Sequence, residues 1–465
     1  MLTLEPYNRA TLDKILELYS HNSSPTVALK GHAKYLDGYL SEIGAKAVLV
    51  ESEYTDRDYL EDYAAYYARC AQEYKRTCAR AHFFSSAVTQ EDLDAAFALD
   101  QDRINAFEGS YLGFIVLKPL PNTVVGRTCL LPYSSTDRPR RFPCVFDVPV
   151  SLSGMKLAIK SVPFQEQDTD VAACATSAVW SLLHSTGRKF THHIPSPGEI
   201  TRVASAVVPS SGRGMPAHRG LTLEQCAAAI RSVGLEPDTI EVGRTSEKNN
   251  DLVDCHYEQP WLKLLLHAYL EAHLPVLLLG ALTTVDTNGE HKLIGHHAVT
   301  ALGYSIGPGP IQNLNGFEAN FRATGMDRIY VHDDAVGPFA RIQFSSATTG
   351  LTTSWGHEVS GGDRIDFCPI AVILPRYHKI RVPLETVIEV VEEIDTIFEA
   401  LRPATTNVLP ERISWDVFLS DVQDYKESLF QNGAVNKADR ITTLYANLPR
   451  YLWVVRSRQG GNLLF

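Results

Sequence analysis

The stretch from Pro163 to Ser185, PFQEQDTDVAACATSAVWSLLHS, places Cys174 directly after a polar, acidic loop and at the head of an apolar helical run. A cysteine that merely filled a core would need no such approach. The first turn of a helix offers unpaired N–H groups and the positive end of the helix dipole, and both favour a thiolate over a thiol. Thr169 or Asp170 can cap that turn, and ATSAVWSLL propagates it. The pattern predicts a helix opening at Cys174 and marks this thiol as a candidate nucleophile. The competing reading is a buried structural thiol, the ordinary fate of cysteine in a globular protein.

A cysteine nucleophile needs an imidazole to share its proton and a third group to orient that imidazole. Downstream, IGHHAVTALGY sets His296 and His297 at the mouth of an apolar strand, and IYVHDDAVGPFARI sets Asp333 and Asp334 at the end of another. Neighbouring strand ends can bring such groups together. A donor for a developing oxyanion is also required, commonly a side-chain amide beside the nucleophile's own N–H. Gln165 and Gln167 lie on the loop entering the helix, and Gln167 is the better placed.

In this order, a glutamine, a short loop, a cysteine heading a long helix, the run HAVTALGY and an aspartate at a strand end resemble the papain-like cysteine peptidase superfamily. The run HAVTALGY is similar to the histidine-bearing strand of papain-type enzymes, which implies that His297 rather than His296 is the catalytic histidine. YVHDDAVG is more similar to the bacteriocin-leader peptidase branch, where an Asp-Pro pair opens a turn, and this implies Asp333 as the orienting carboxylate. Three departures accompany the resemblance: the interval from Gln167 to Cys174 is one residue longer than usual, the Gly-Ser-Cys-Trp setting is lacking, and Asp334 stands where proline is expected. TSWGHE is similar to papain's Asn-Ser-Trp-Gly signature, but it has Thr353 in place of asparagine and lies far beyond the histidine strand, so it is set aside as a chance match. The resemblance covers patches of about residues 160 to 375. It implies a Cys174, His297, Asp333 and Gln167 site, with Gln165, His296 and Asp334 as alternates.

A metal centre built from His296, His297, His332, Asp333 and Asp334 would make the chain a metallohydrolase instead. Adjacent strand residues point to opposite faces, so HH and HDD do not deliver all their side chains to one ion, and neither a metal nor another cofactor is expected. Cys226, in TLEQCAAAI, is expected in the core, as is Trp180.

Texture along the 465 residues predicts an α+β protein with four regions. Residues 1–108 read as helical, because Tyr59, Tyr63, Tyr66, Cys70, Tyr74 and Cys78 recur at steps of three and four, and Thr89 with Asp92 opens a further helix as a capping box. Residues 109–160 read as a small β-rich segment leading into a catalytic domain over 161–376. That domain runs from helices (CATSAVWSLLHS, TLEQCAAAIRSVG, WLKLLLHAYLEAHL) into strands (PVLLLGAL, HHAVTALGYS, RIYVHDD, ARIQFS, CPIAVILP). Residues 377–465 read as helical again.

A net charge of −11 argues against nucleic acid as the main partner. The N-terminus lacks the basic, then apolar, pattern of a secretory signal, and no run reaches the roughly 18 apolar residues of a membrane span. Eight cysteines without a CxxC pair suit a reducing, cytoplasmic setting. The expected activity is that of a thiol hydrolase acting on a peptide or isopeptide bond in a protein or peptide substrate. A deamidase or transglutaminase-like acyl transferase would use the same groups, and a catalytically inactive papain-like scaffold would use only the fold. The helical flanks are the expected place for a regulatory protein partner.

Overall fold

The computed structural model describes residues 2–167, 174–210, 220–248, 252–286, 288–308, 311–344, 350–355, 364–401, 412–432, 435–459 and 462–463. It is a mixed structure of helices and largely antiparallel sheets. Thr169 and Asp170, the expected caps, lie outside the described residues.

The five apolar runs read as strands all pair in one antiparallel sheet, and the path of pairing closes on itself. Val276–Val285 pairs with Arg364–Arg376 on one side and with His291–Ile306 on the other. His291–Ile306 pairs onward with Met326–Asp333, which pairs with Gly337–Gln343. The short Leu351–Thr352 then links Gly337–Gln343 back to Arg364–Arg376. Closure leaves few unpaired strand edges and fills the interior with side chains such as Val299, Tyr330 and Phe339, all fully buried.

Cys174–Phe190 forms the expected helix and packs on the outside of this sheet. Its Val179, Trp180 and Leu183 share a cluster with Leu277, Ala298 and Ile373 from the strands. The Thr300 hydroxyl donates to the Ala178 carbonyl at 2.6 Å, tying the helix to the histidine strand. Thr222 and Gln225 form a reciprocal capping box on Leu223–Ser232, Gly234 follows at φ +87°, and that helix buries Cys226 beside the cysteine helix.

Residues 1–108 are rich in helix, as expected, but they also supply three strands that the helical reading missed. Leu2–Pro6, Ala47–Tyr54 and Cys78–Phe84 join Tyr111–Leu117 and Val125–Leu130 in a five-stranded antiparallel sheet with helices around it. One face of this sheet, with Val48, Phe83 and Ile115, packs into the main core, and the other, with Leu49, Phe84 and Phe114, packs on the hairpin Phe146–Leu152 and Met155–Ser161. Strands buried on both faces read as unbroken apolar runs, so the alternation that announces a strand is missing. The tyrosine stripe is split among a helix, Arg57–Ala65, a 3-10 turn, Tyr67–Arg69, and the start of the Cys78–Phe84 strand. The Thr89 to Asp92 capping box is present.

The C-terminal region is corrected likewise. Leu384–Leu401 is helical, but Ser414–Asp421, read as the start of a helix, is a buried strand paired with Tyr451–Gln459. The helix begins only at Val422, where Asp421 caps it. This strand is pinned to the central sheet's own helix, Gln259–Leu270, by a buried pair in which His267 Nε2 meets Asp416 Oδ1 at 2.8 Å, with Arg322 at 3.4 Å from Oδ2. Burial alone would raise the Asp416 carboxyl, but the hydrogen bond and charge of His267 and the charge of Arg322 hold it at about 2. A depressed carboxylate stabilises the fold above its unfolded value of about 3.9, and the gain is lost as pH falls through about 2. Asp416→Asn is therefore expected to cost about 2–3 kcal/mol at pH 7 and almost nothing at pH 2, read from urea midpoints at the two pH values.

Candidate active site

Cys174 is half-buried at the head of its described helix, and His297 is buried on the neighbouring strand. The His297 ring lies between two partners. Its Nε2 faces Asp333 Oδ1 at 2.9 Å, and Cys174 lies close enough to the ring to help raise the imidazole. The sequence spans 123 positions between Cys174 and His297, and the sheet closes that gap by packing Ala178 against Thr300.

Asp333 is buried and accepts three hydrogen bonds: from His297, from the Ala335 N–H at 3.1 Å, and from Trp355 Nε1 to its second oxygen at 2.7 Å. Burial alone would raise its carboxyl, yet the charge and hydrogen bond of His297, helped by Trp355 and Ala335, hold it below the usual carboxylate range. The same logic runs the other way at His297. Burial would lower the imidazole, but the Asp333 charge, with the hydrogen bond to Asp333 and the nearness of Cys174, raises it well above its ordinary value. The pair favours an imidazolium beside the thiol, the state in which an adjacent thiolate is stabilised.

Trp355 overturns the dismissal of TSWGHE. Its ring stands edge-on to His297, 5.4 Å between centroids at 81°, while its N–H anchors Asp333. Distance along the chain hid it: the pairing of Leu351–Thr352 with Gly337–Gln343 and Arg364–Arg376, and the Ser354 hydroxyl on the Arg341 backbone, bring that segment back beside Asp333. Trp355→Phe keeps an aromatic ring and removes the donor. A hydrogen bond to a buried charge carries about 1.5–3 kcal/mol, so the variant is expected to lose about that much stability, measured by urea unfolding at pH 7.

The N-terminal region supplies a second support that the sequence did not reveal. The Tyr35 hydroxyl donates to the Pro338 carbonyl at 2.8 Å, and its ring occupies the space where a Cβ on Gly337, at φ +155°, would have to go. His32 Nε2 lies 2.7 Å from the Asp334 carbonyl, and the other ring nitrogen lies 3.6 Å from Glu166, on the loop leading to Cys174. The turn bearing Asp333 is thus clamped from residues 32–35.

Among the alternates, His296 is exposed and lines the same cavity as Cys174 and His297. Asp334 is buried 3.7 Å from His297 Nε2, and neither of its oxygens has a hydrogen-bond partner. Gln165 is buried and Gln167 half-buried; the segment between Gln167 and Cys174 lies outside the described residues. His332, part of the five-residue metal set, faces elsewhere, with Nε2 on the Val162 carbonyl and Nδ1 accepting from Phe339 N–H. His297, Asp333 and Asp334 do bring ligand atoms within 4.8 Å of one another, in an arrangement that the His297 to Asp333 hydrogen bond already occupies. Cys226 is core, and burial pushes its thiol up to about 12.

Beside Cys174 and His297 opens a cavity of about 460 Å³, walled by Leu221, Leu223, Leu279, His296 and Ile370. A thiol, an imidazole and its carboxylate therefore stand together at the edge of a cavity, an arrangement compatible with thiol chemistry. Among the described residues, no helix is long and apolar enough to cross a membrane. Compared with known proteins, the chain matches no family model and no curated sequence.

Proposed function

We propose that the protein is a papain-like cysteine hydrolase, acting on a peptide or isopeptide bond through Cys174, His297 and Asp333. The observation that supports this most is the position of His297, whose ring bridges the Cys174 thiol and the Asp333 carboxylate at the rim of an open cavity. In this reading Cys174 Sγ attacks the carbonyl carbon and the His297 proton passes to the leaving amine, while Asp333 keeps the ring oriented. Gln167 and the Cys174 N–H would receive the oxyanion. Water, activated by the now neutral His297, then resolves the thioester and frees Cys174. The eight unpaired cysteines support a cytosolic setting.

Deamidation and acyl transfer to an amine pass through the same thioester, so products decide among them. Incubating the protein with a denatured protein mixture, with and without Cys174→Ala, and reading products by mass spectrometry separates chain cleavage, ammonia release and new cross-links. Cleaved chains that depend on Cys174 are expected. Absence of every Cys174-dependent product, although the mixture spans all side chains, would favour an inactive binding scaffold.

A further inference from the structure

Away from Cys174, the strands bring two more cysteines and a histidine together. Cys255, on Leu252–Tyr257, and Cys368, on Arg364–Arg376, lie 113 positions apart, yet they pack together with Ala281 in a small buried cluster. His291 Nδ1 lies 2.8 Å from the Thr283 hydroxyl, which is itself 3.9 Å from Cys368 Sγ, so the imidazole stands beside the Cys368 thiol. One thiol thus has a base and a hydroxyl beside it, and the other thiol packs against it. The remaining buried cysteines have no comparable pairing: Cys129 and Cys144 are pushed up by burial, to about 12 for Cys129 and higher for Cys144.

We propose that Cys255 and Cys368 are a peroxide-responsive dithiol that closes to a reversible disulfide, with Cys368 the attacking thiolate, His291 its base and Cys255 the resolving thiol. In the first step His291 takes the Cys368 proton and the thiolate attacks one peroxide oxygen. The S–O bond forms as the O–O bond breaks, and the departing hydroxide leaves as water with the proton from His291. In the second step the Cys255 sulfur attacks the sulfenic acid of Cys368. The S–S bond forms, the S–O bond breaks, and hydroxide leaves with the Cys255 proton as a second water. The two thiols give up two electrons and hydrogen peroxide accepts them.

Contact with Cys255 and the nearness of His291 draw the Cys368 thiol below the ordinary range against the effect of burial, whereas its contact with Cys368 and burial push Cys255 up. This asymmetry is what a nucleophilic thiol and a resolving thiol need. Closing from contact to a bond of about 2.05 Å requires a small inward movement. The element that would move is the hairpin of Gly243–Glu247 and Leu252–Tyr257, whose residues are mostly exposed or half-buried. Ile370 packs against the pair and also lines the cavity at Cys174, so the dithiol stands one side chain away from that cleft.

The test uses the full chain carrying Cys174→Ala, so that its outcome is independent of any activity at Cys174. The protein is exposed to stoichiometric hydrogen peroxide, its free thiols are blocked, and it is digested with trypsin without reduction. Expected is a cross-link between peptides 249–263 and 365–376, released by dithiothreitol. Cys255→Ser should instead leave a sulfenic acid at Cys368 that dimedone traps, and His291→Gln should slow cross-linking by about tenfold. Recovery of both peptides with alkylated cysteines after peroxide would overturn the proposal, and so would dimedone capture at Cys255 in a Cys368→Ser variant at the rate seen for Cys368.

Discussion

Asp334→Asn is expected to make the protein more stable, by up to about 4 kcal/mol at pH 8, and to leave stability near pH 4 unchanged. Asp334 is fully enclosed, its two oxygens lack partners, and its neighbours are His297, Asp333 and His32. Burial, reinforced by the Asp333 charge and opposed by those of His297 and His32, raises its carboxyl to about 7. An acid whose folded value lies above the unfolded one, about 3.9, binds more protons folded than unfolded between the two. Stability is then full below about pH 4 and falls as pH rises, until the cost levels off above pH 7. Three pH units at about 1.36 kcal/mol each set the ceiling of about 4 kcal/mol. Asparagine has the same outline and no charge to bury, so urea midpoints measured from pH 4 to 8 should show a sloping wild type and a flatter variant. A variant no more stable than wild type at pH 8 would mean that Asp334 finds a partner there after all. A buried, unpaired carboxylate beside a reactive imidazole is a stability cost of the sort that functional sites retain.

The parts of this protein legible in its sequence were those whose signals are local. The capping box at Thr222, Gly234 after its helix, the run behind Cys174 and the five apolar strands each carry their evidence within a dozen residues. Cys174 and Asp333 carried local signals at the ends of described elements, whereas His297, expected at the mouth of its strand, lies inside His291–Ile306, which starts six residues earlier. The N-terminal sheet was not legible: Ala47–Val50 is a short apolar run buried on both faces, and Cys78–Phe84, with Arg80 and His82 buried among apolar residues, merges with the tyrosine stripe. Trp355 was found in sequence and then discarded, since its 22-residue separation from Asp333 is bridged only by tertiary pairing. His32 and Tyr35 carried no signal at all: nothing about HAKY announces that it will clamp a turn some 300 residues away.

The central claim is that His297, held charged by Asp333, keeps the Cys174 thiol ready to react. An ordinary thiol, with a pKa near 8.5, is only about 0.3% ionised at pH 6. A thiolate stabilised by a neighbouring imidazolium is ionised to a far greater extent at the same pH, and after allowance for the weaker nucleophilicity of an acidic thiol the gain in attack rate is about tenfold. The most direct measurement is therefore peptide-level mass spectrometry of all eight cysteines after brief exposure to a mild thiol-directed electrophile at pH 6, in wild type and in His297→Ala. Selective modification of Cys174 in the wild type, slowed by about tenfold in the variant, is the predicted result. Reaction of Cys174 at the same rate in both proteins would contradict the account.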